Sequence, residues 1–395
     1  MTAPGERARE APATRPPLWA IFAITVTGIT VNTLVAQSIP DILDELRAPQ
    51  SLAGVVVGAA TLPGIVLAPV MGLLADRYGR REVIVPCLAV FGVAGGLAGA
   101  APSLWVLVAL RLVQGAGSAG LVNLAVVLIG DHWEGYERSR LIGRNAAVLT
   151  TSLAVMPALG GLLTELGGWR APFSLYPLAL VTAVVLARTL PRSAPRDVVL
   201  SEQLGDLWPV LRTRTVVGVL GAGTVTFALI FGLALTVMPI YLRDAFGLGA
   251  GYRGLLLGLP ALTNTAVALS LGRLQRRFQR RKQLGTAAAL LSAALVTVAV
   301  APTLPVLVAG ILVFGAGEGL MIPNLQDLAT SAGPVTSRGT VVASFVGASR
   351  LGQTVGPLAA GAGLAAVGAP ATFAAGAGVA AALGGVLLAG GRRPG

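Results

Sequence analysis

The sequence predicts an all-α membrane protein: twelve transmembrane helices in two pseudo-symmetric six-helix bundles. Three observations carry that prediction. The composition is 54% hydrophobic and only 12% charged, about half the ~25% charge of a soluble domain, with a mean hydropathy of +0.78. The apolar stretches run for roughly 20 residues, enough to cross a ~30 Å hydrocarbon core as helix. The short alternating segments of a membrane β-barrel are absent from the sequence. Third, the chain repeats itself at an offset of 200 residues, as set out below.

Spans are predicted at 18–39, 51–73, 83–101, 104–130, 141–163, 169–190, 214–241, 251–272, 284–302, 305–329, 340–363 and 370–390. The implied organisation is a cytoplasmic N-terminal tail (1–17), a first bundle (18–190), a cytoplasmic linker (191–213), a second bundle (214–390) and a short C-terminal tail (391–395). The linker carries Pro191, Pro195, Asp197, Glu202 and Asp206, and a short amphipathic helix is expected near Leu204–Leu211. The first apolar run is too long for a signal-peptide core and is expected to remain as a helix. Cys87 is the only cysteine, so no intrachain disulfide forms.

The net charge of +12 is a topology signal rather than a nucleic-acid footprint. With the N-terminus inside, only Arg47, Arg170, Arg243 and Arg253 fall outside, and only Arg111 and Arg350 fall within spans. All other basic residues lie on the inner side. By the positive-inside rule both termini are cytoplasmic. Lys282 is the lone lysine among many arginines and alanines, which hints at a GC-rich bacterial genome and a plasma-membrane location.

The repeat is clearest in the loop after span two. Gly72–Arg81 reads GLLADRYGRR and Gly272–Arg281 reads GRLQRRFQRR. Gly115-Ala116-Gly117 recurs as Gly315-Ala316-Gly317, and Pro157 and Gly161 recur as Pro357 and Gly361. A duplicated six-helix unit places parallel halves about an axis along the membrane normal, with a solute path between them. Small residues let helices approach in lipid, so Pro157, Gly160, Gly161, Gly356 and Pro357 are expected to pack spans five and eleven closely.

Polar residues inside spans are the candidate site. Arg111 lies within span four with Gln114 one turn along, and is expected to face a central cavity. Glu318 is the one carboxylate deep within a span, at the position equivalent to Ser118. Low dielectric favours its neutral form, so it suits binding and releasing a proton. Arg350 is the second cation in a span, and whether it pairs with Glu318 is left open by the sequence. Asn32, Gln37, Asn123, Asn264, Asn324 and Gln353 are further cavity candidates, although Asn and Gln also join helices. Asp41, Asp44 and Glu45 read as a solvated rim at the outer end of span one. His132 is the only histidine and lacks metal-ligand partners in its neighbourhood; neither a nucleotide-binding loop nor a nucleophile constellation is visible, and an enzyme, a metal site and a bound cofactor are not expected.

These motifs together resemble the major facilitator superfamily, in its twelve-helix drug:proton antiporter branch, over essentially the whole chain. Gly72-Leu73-Leu74-Ala75-Asp76-Arg77-Tyr78-Gly79-Arg80-Arg81 is similar to the family's signature between helices two and three. Arg111-Leu112-Val113-Gln114-Gly115-Ala116-Gly117 resembles the fourth-helix motif. Met156-Pro157-Ala158-Leu159-Gly160-Gly161 resembles the fifth-helix antiporter motif, with Met156 and Ser152 where the family prefers glycine. The resemblance implies efflux of a small, fairly apolar compound by proton antiport, through a monomer that needs only substrate, protons and lipid. It implies proton coupling through Glu318, Arg111 and Arg350. It also implies a latch in which Asp76, helped by Gly72, Arg77, Gly79, Arg80 and Arg81, holds Arg140 and the start of span eleven near Arg338-Gly339-Thr340. Because the echo loop has Arg276 and Gln279 instead of the acid and the glycine, one strong latch is expected, in the N-terminal half. An uptake permease on the same fold is the nearest alternative, and a non-transporting sensor a more distant one.

Overall fold

The computed structural model describes residues 15–190, 212–332 and 338–389, with side chains of 338–340 excepted. Both tails, the linker with its amphipathic segment, and the side chains at the start of span eleven therefore lie almost entirely outside the described residues. All regular structure among the described residues is helical. Among the described residues, eleven helices are long and apolar enough to cross a membrane. The last, Arg338–Ala389, is two spans joined at Gly368, where φ 78° and ψ 171° interrupt the helix. That makes twelve spans, as the hydropathy predicts. Gly168 turns span five into span six with nearly the same angles (φ 73°, ψ 177°), so the 200-residue offset extends to the backbone. An L side chain rarely adopts either conformation, which is why both turns use glycine.

Several spans are broken, and the breaks also repeat. Span one (Leu18–Glu45) divides at Leu34 and Val35 into Leu18–Thr33, a 3₁₀ turn Ala36–Ser38 and Ile39–Glu45. Its counterpart, span seven (Arg214–Phe246), relaxes at the matching depth into a π-helix, Ile230–Val237. Span two (Gln50–Tyr78) breaks around Pro63, between Ala53–Ala59 and Gly64–Tyr78. Span eight breaks between Ala250–Gly258 and Pro260–Arg277. Proline removes a backbone donor and disrupts the preceding turn. Such interruptions are tolerated at membrane depth only where neighbours satisfy the freed groups.

Glycines on spans four and ten cover those breaks. A Cβ on Gly115 would strike the Ala60 carbonyl, and one on Gly315 would strike that of Pro260. Gly117 fits against Phe91, and Gly317 against Leu291. Each partner lies 200 residues from its counterpart. An edge-on aromatic run, Trp169, Phe173, Tyr176 and Phe91, ties span six to span three, with centroids 5.2–5.9 Å apart.

Candidate functional site: the cleft between the halves

The two halves meet through crossings related by the same offset. Span five packs on span eight: Gly161 fits against Ala250 and Gly254, and Gly254 against the Pro157 carbonyl. Span eleven packs on span two: Gly361 fits against Ser51 and Gly54, and Gly54 against the Pro357 carbonyl. Spans five and eleven thus pack closely through their small residues, each against a helix of the opposite half. They occupy equivalent places in opposite halves, so each faces the other half's second helix. Gly160 instead seats span five on Leu34 of span one, and Gly356 seats span eleven on Ala228 of span seven.

All these contacts lie toward the face opposite the Gly72–Arg81 loop. There the acids of span one bond across the boundary. Asp41 accepts from Arg253 Nη2 at 2.5 Å, and Asp44 from Arg243 Nη1 at 2.6 Å. Gln50 Nε2 donates to Asp244 at 2.9 Å. Glu165, at the end of span five, accepts from the backbone N–H of Gly251 at 2.8 Å, capping the first turn of span eight. Glu45 pairs with Arg170 inside the N-terminal half. Asp41 and Asp44 remain solvent-accessible, at 38% and 69% exposure, but also carry partners across the boundary, and the side chain of Arg253 is only 2% exposed. These are the residues that sequence reasoning missed. Their signal was present, since Arg243 and Arg253 are basic residues on the side that the positive-inside rule leaves poor in them.

Toward the loop face the halves part. Thr61 Oγ1 meets Thr354 Oγ1 at 2.9 Å and the Gln353 carbonyl at 3.1 Å. Ile65 comes no closer than ordinary contact with Gly347. Beyond that point, no hydrogen bond or ion pair joins the halves among the described residues. Gly72 and Gly272 each have open space where a side chain would be.

The loop motif is engaged within its own half in this conformation. Arg80 donates to Asp76 at 2.6 Å and to Asp131 at 2.8 Å. Arg81 reaches the Leu190 carbonyl at 3.4 Å, and Arg77 lies over Tyr78. Arg140 is exposed, and Asp76 pairs with Arg80, four residues along the chain, in its stead. Gly79 adopts φ 102° at this turn, whereas Gln279 turns the echo loop at φ −60°. The echo has an acid after all: Arg280 pairs with Asp327 at the end of span ten, in the place where Arg80 meets Asp131.

Arg111 is 1% exposed and does not line an open cavity. At the break in span one, the Val35 N–H bonds the Asn32 carbonyl at 3.1 Å, releasing the Val31 carbonyl from its helical partner. Arg111 Nη1 donates to that carbonyl at 2.5 Å and to Gln114 Oε1 at 3.1 Å, while Nη2 donates to Asn32. Tyr176 donates to the Thr30 and Val31 carbonyls at 3.2 Å. Gln37 is likewise spent on the Leu34 carbonyl at 2.6 Å. Asn324 joins span ten to Gln283 of span nine at 3.1 Å. Asn32, Gln37, Gln114 and Asn324 are all buried, which corrects their placement on a cavity wall: they satisfy broken backbone or join helices. Asn123 is exposed.

Glu318 is buried in span ten, with Asn264 of span eight as its side-chain hydrogen-bond neighbour. It forms no ion pair among the described residues. Arg350 is half-buried beside Gly64 of span two, and bonds Gln353 Oε1 at 3.1 Å. The structure thus keeps the intramembrane acid and the second intramembrane cation apart.

This arrangement has relatives. The chain is 28% identical over 359 residues to the class G tetracycline resistance protein of Vibrio anguillarum, covering 86% of this chain and 88% of that one. It is 27% identical over 176 residues to the multidrug transporter protein MdtP of Bacillus subtilis, covering 42% of this chain and 32% of that protein. The chain therefore spans about a third of MdtP and most of the Vibrio protein. In three dimensions it superposes on a bacterial homologue of the human lysosomal transporter Spinster, solved inward-facing and unoccupied. The TM-score is 0.72 at 17% identity, over 94% of this chain and 94% of that one. The family model of the Major Facilitator Superfamily matches residues 19–357 and 220–395. With duplicated bundles, mirrored breaks and a cleft closed at one face, the chain belongs to the Major Facilitator Superfamily of multi-pass membrane transporters.

Proposed function

We propose that this transporter exports a small, fairly apolar compound in exchange for protons, by alternating access. The observation that carries the reading is Glu318: a carboxyl buried in mid-span and paired with no cation among the described residues. Such a group binds and releases a proton as water reaches it from one side and then the other. The drug resistance and multidrug transport named for the Vibrio and Bacillus relatives support the direction. In this reading the loop face is cytoplasmic, as are both termini, and the structure represents the state open to the cytoplasm of a bacterial plasma membrane. Substrate enters the cleft there while Glu318 gives up its proton. The halves then rock, so that substrate leaves on the far side and Glu318 is reprotonated. Arg111 serves as a fixed positive charge holding the break of span one. Asn123 is the exposed polar group left for the substrate, while Gln353 is engaged with Arg350. Asp76, with Arg140 and the start of span eleven, closes the loop face in the other state.

The test is transport by the full chain in proteoliposomes with an imposed pH gradient. Glu318→Gln is expected to abolish uphill efflux and to retain downhill exchange. Uphill efflux persisting in that variant removes Glu318 from coupling. The fifth-span motif favours export, and its departure at Met156 keeps an uptake permease as the second reading. Accumulation rather than extrusion of substrate in intact cells would establish it.

A further inference from the structure

Three arginines lie within the bundle, and two of them are engaged through several donors or by an acid. Arg253 meets Asp41. Arg111 spends its donors on the Val31 carbonyl, Asn32 and Gln114. Arg350 differs. Its one hydrogen bond goes to Gln353, and no ion pair among the described residues includes it. It is also the only charged residue from 339 to 389, and span two opposite it carries none from 48 to 75.

Its position is specific. The stem of Arg350 crosses to the other half, where a Cβ on Gly64 would lie 3.2 Å from its Cδ. Just beyond, at Ile65 and Gly347, the halves part toward the loop face. Arg350 therefore stands at the apex of the cleft, where both halves contribute and where a bound molecule is felt by both. A guanidinium at membrane depth is costly unless it meets an anion, water or carbonyl groups. Its planar fork presents five donors, of which one is used, and it fits a carboxylate with two parallel bonds. The internal acid that would neutralise it, Glu318, is buried in span ten and pairs with no cation among the described residues.

We infer that Arg350, aimed by Gln353, binds the anionic group of the transported compound, which is therefore an amphipathic organic acid with an apolar body. The apolar body is accommodated by the adjoining turns of spans two and eleven, where Ile65, Val346 and Gly347 are partly exposed. This deepens the transporter reading by naming the substrate class, and it rests on that reading for the compound's being cargo. Its test does not depend on coupling, because binding needs no gradient.

The test uses the full chain in nanodiscs of zwitterionic lipid, with equilibrium dialysis of 2-naphthoate and its neutral isostere 2-naphthamide. Naphthoate is expected to bind roughly tenfold tighter, as one charge-assisted pair supplies. Arg350→Gln is expected to erase that preference and to leave naphthamide binding unchanged. Arg350→Lys is expected to keep part of it, since charge survives and the fork does not. Equal affinities in the natural chain, or a preference that survives Arg350→Gln, overturn the assignment. So does displacement of naphthoate by phosphatidylglycerol in the disc, which makes the occupant a lipid headgroup. Should Arg350→Gln fail to fold, Gln353→Leu removes only the bond that aims the guanidinium. A severalfold loss for naphthoate alone is then expected, and no change overturns the proposal. Loss of uphill transport in Glu318→Gln with naphthoate binding intact separates the coupling claim from this one.

Discussion

Arg253 is the side chain whose surroundings matter most for the closed face. It is buried to 2% exposure, its Nε lacks a partner, and Asp41 alone answers its charge among the described residues. Removing one member of a buried pair leaves the other uncompensated, at a cost of about 3 kcal/mol or more, whereas an exposed pair contributes up to ~1 kcal/mol. Asp41 is 38% exposed, so Asp41→Asn is expected to cost the closed face about 2 kcal/mol, between those limits. That corresponds to roughly thirtyfold in the balance between conformations. Pulsed electron resonance between spin labels on spans one and eight would read it as a shift to longer distances. An Asp41→Arg, Arg253→Asp exchange should recover the short one. Unchanged distances in Asp41→Asn would show the pair to be incidental.

At the scale of helices, the crossings of spans two with eleven and five with eight depend on the absence of side chains. A Cβ at Gly254 meets the backbone carbonyl of Pro157, which cannot swing aside as a flexible side chain would. Gly254→Val is therefore expected to hold the halves apart, with an overpacking cost of about 1–3 kcal/mol. Transport should fall with little loss of expression, and cysteines placed on the face opposite the loop should become accessible to a water-soluble maleimide. Gly272→Ala is the control, because nothing lies within 4 Å of a Cβ there. Equal behaviour of the two variants would refute the steric argument. The helix breaks belong to this scale too. Arg111 occupies span four, but its partner is the carbonyl that span one's own 3₁₀ turn releases. A mutation at Arg111 is felt first as a change in span one.

For the whole molecule, the conformation decides which contacts of the loop motif exist. Asp76 is 51% exposed and bonded to Arg80 within its half while the loop face is open. Its cross-half role requires the opposite conformation. Asp76→Asn is expected to leave substrate affinity in the open state unchanged. Turnover should slow roughly tenfold, which is the loss of one charge-assisted bond of about 1.5 kcal/mol from the other state. Stopped-flow transport set beside equilibrium binding checks this, and unchanged turnover removes the latch. Arg80 and Arg280 act differently, each tying its loop to the end of span four or span ten. The arginines of the repeat are therefore structural as well as topological, and Asp76 with Gly79 is the asymmetric part.

The sequence by itself determined twelve spans, their duplication and the membrane class, because hydrophobic length and a fixed offset are one-dimensional properties of a chain. It also exposed Glu318, Arg111 and Arg350, since charge inside an apolar run is visible without coordinates. Only the tertiary structure decided what those charges meet. Asn32, Gln37, Gln114 and Asn324 read as cavity residues from their polarity, yet each is buried and engaged through one polar atom: Asn32 and Gln114 accept from Arg111, Gln37 donates to the Leu34 carbonyl and Asn324 to Gln283. Asp41 and Asp44 read as solvated, yet they bind arginines more than 190 residues away. A hydrogen-bond partner across a two-bundle interface depends on how the halves are rotated, and no local pattern of residues encodes that rotation.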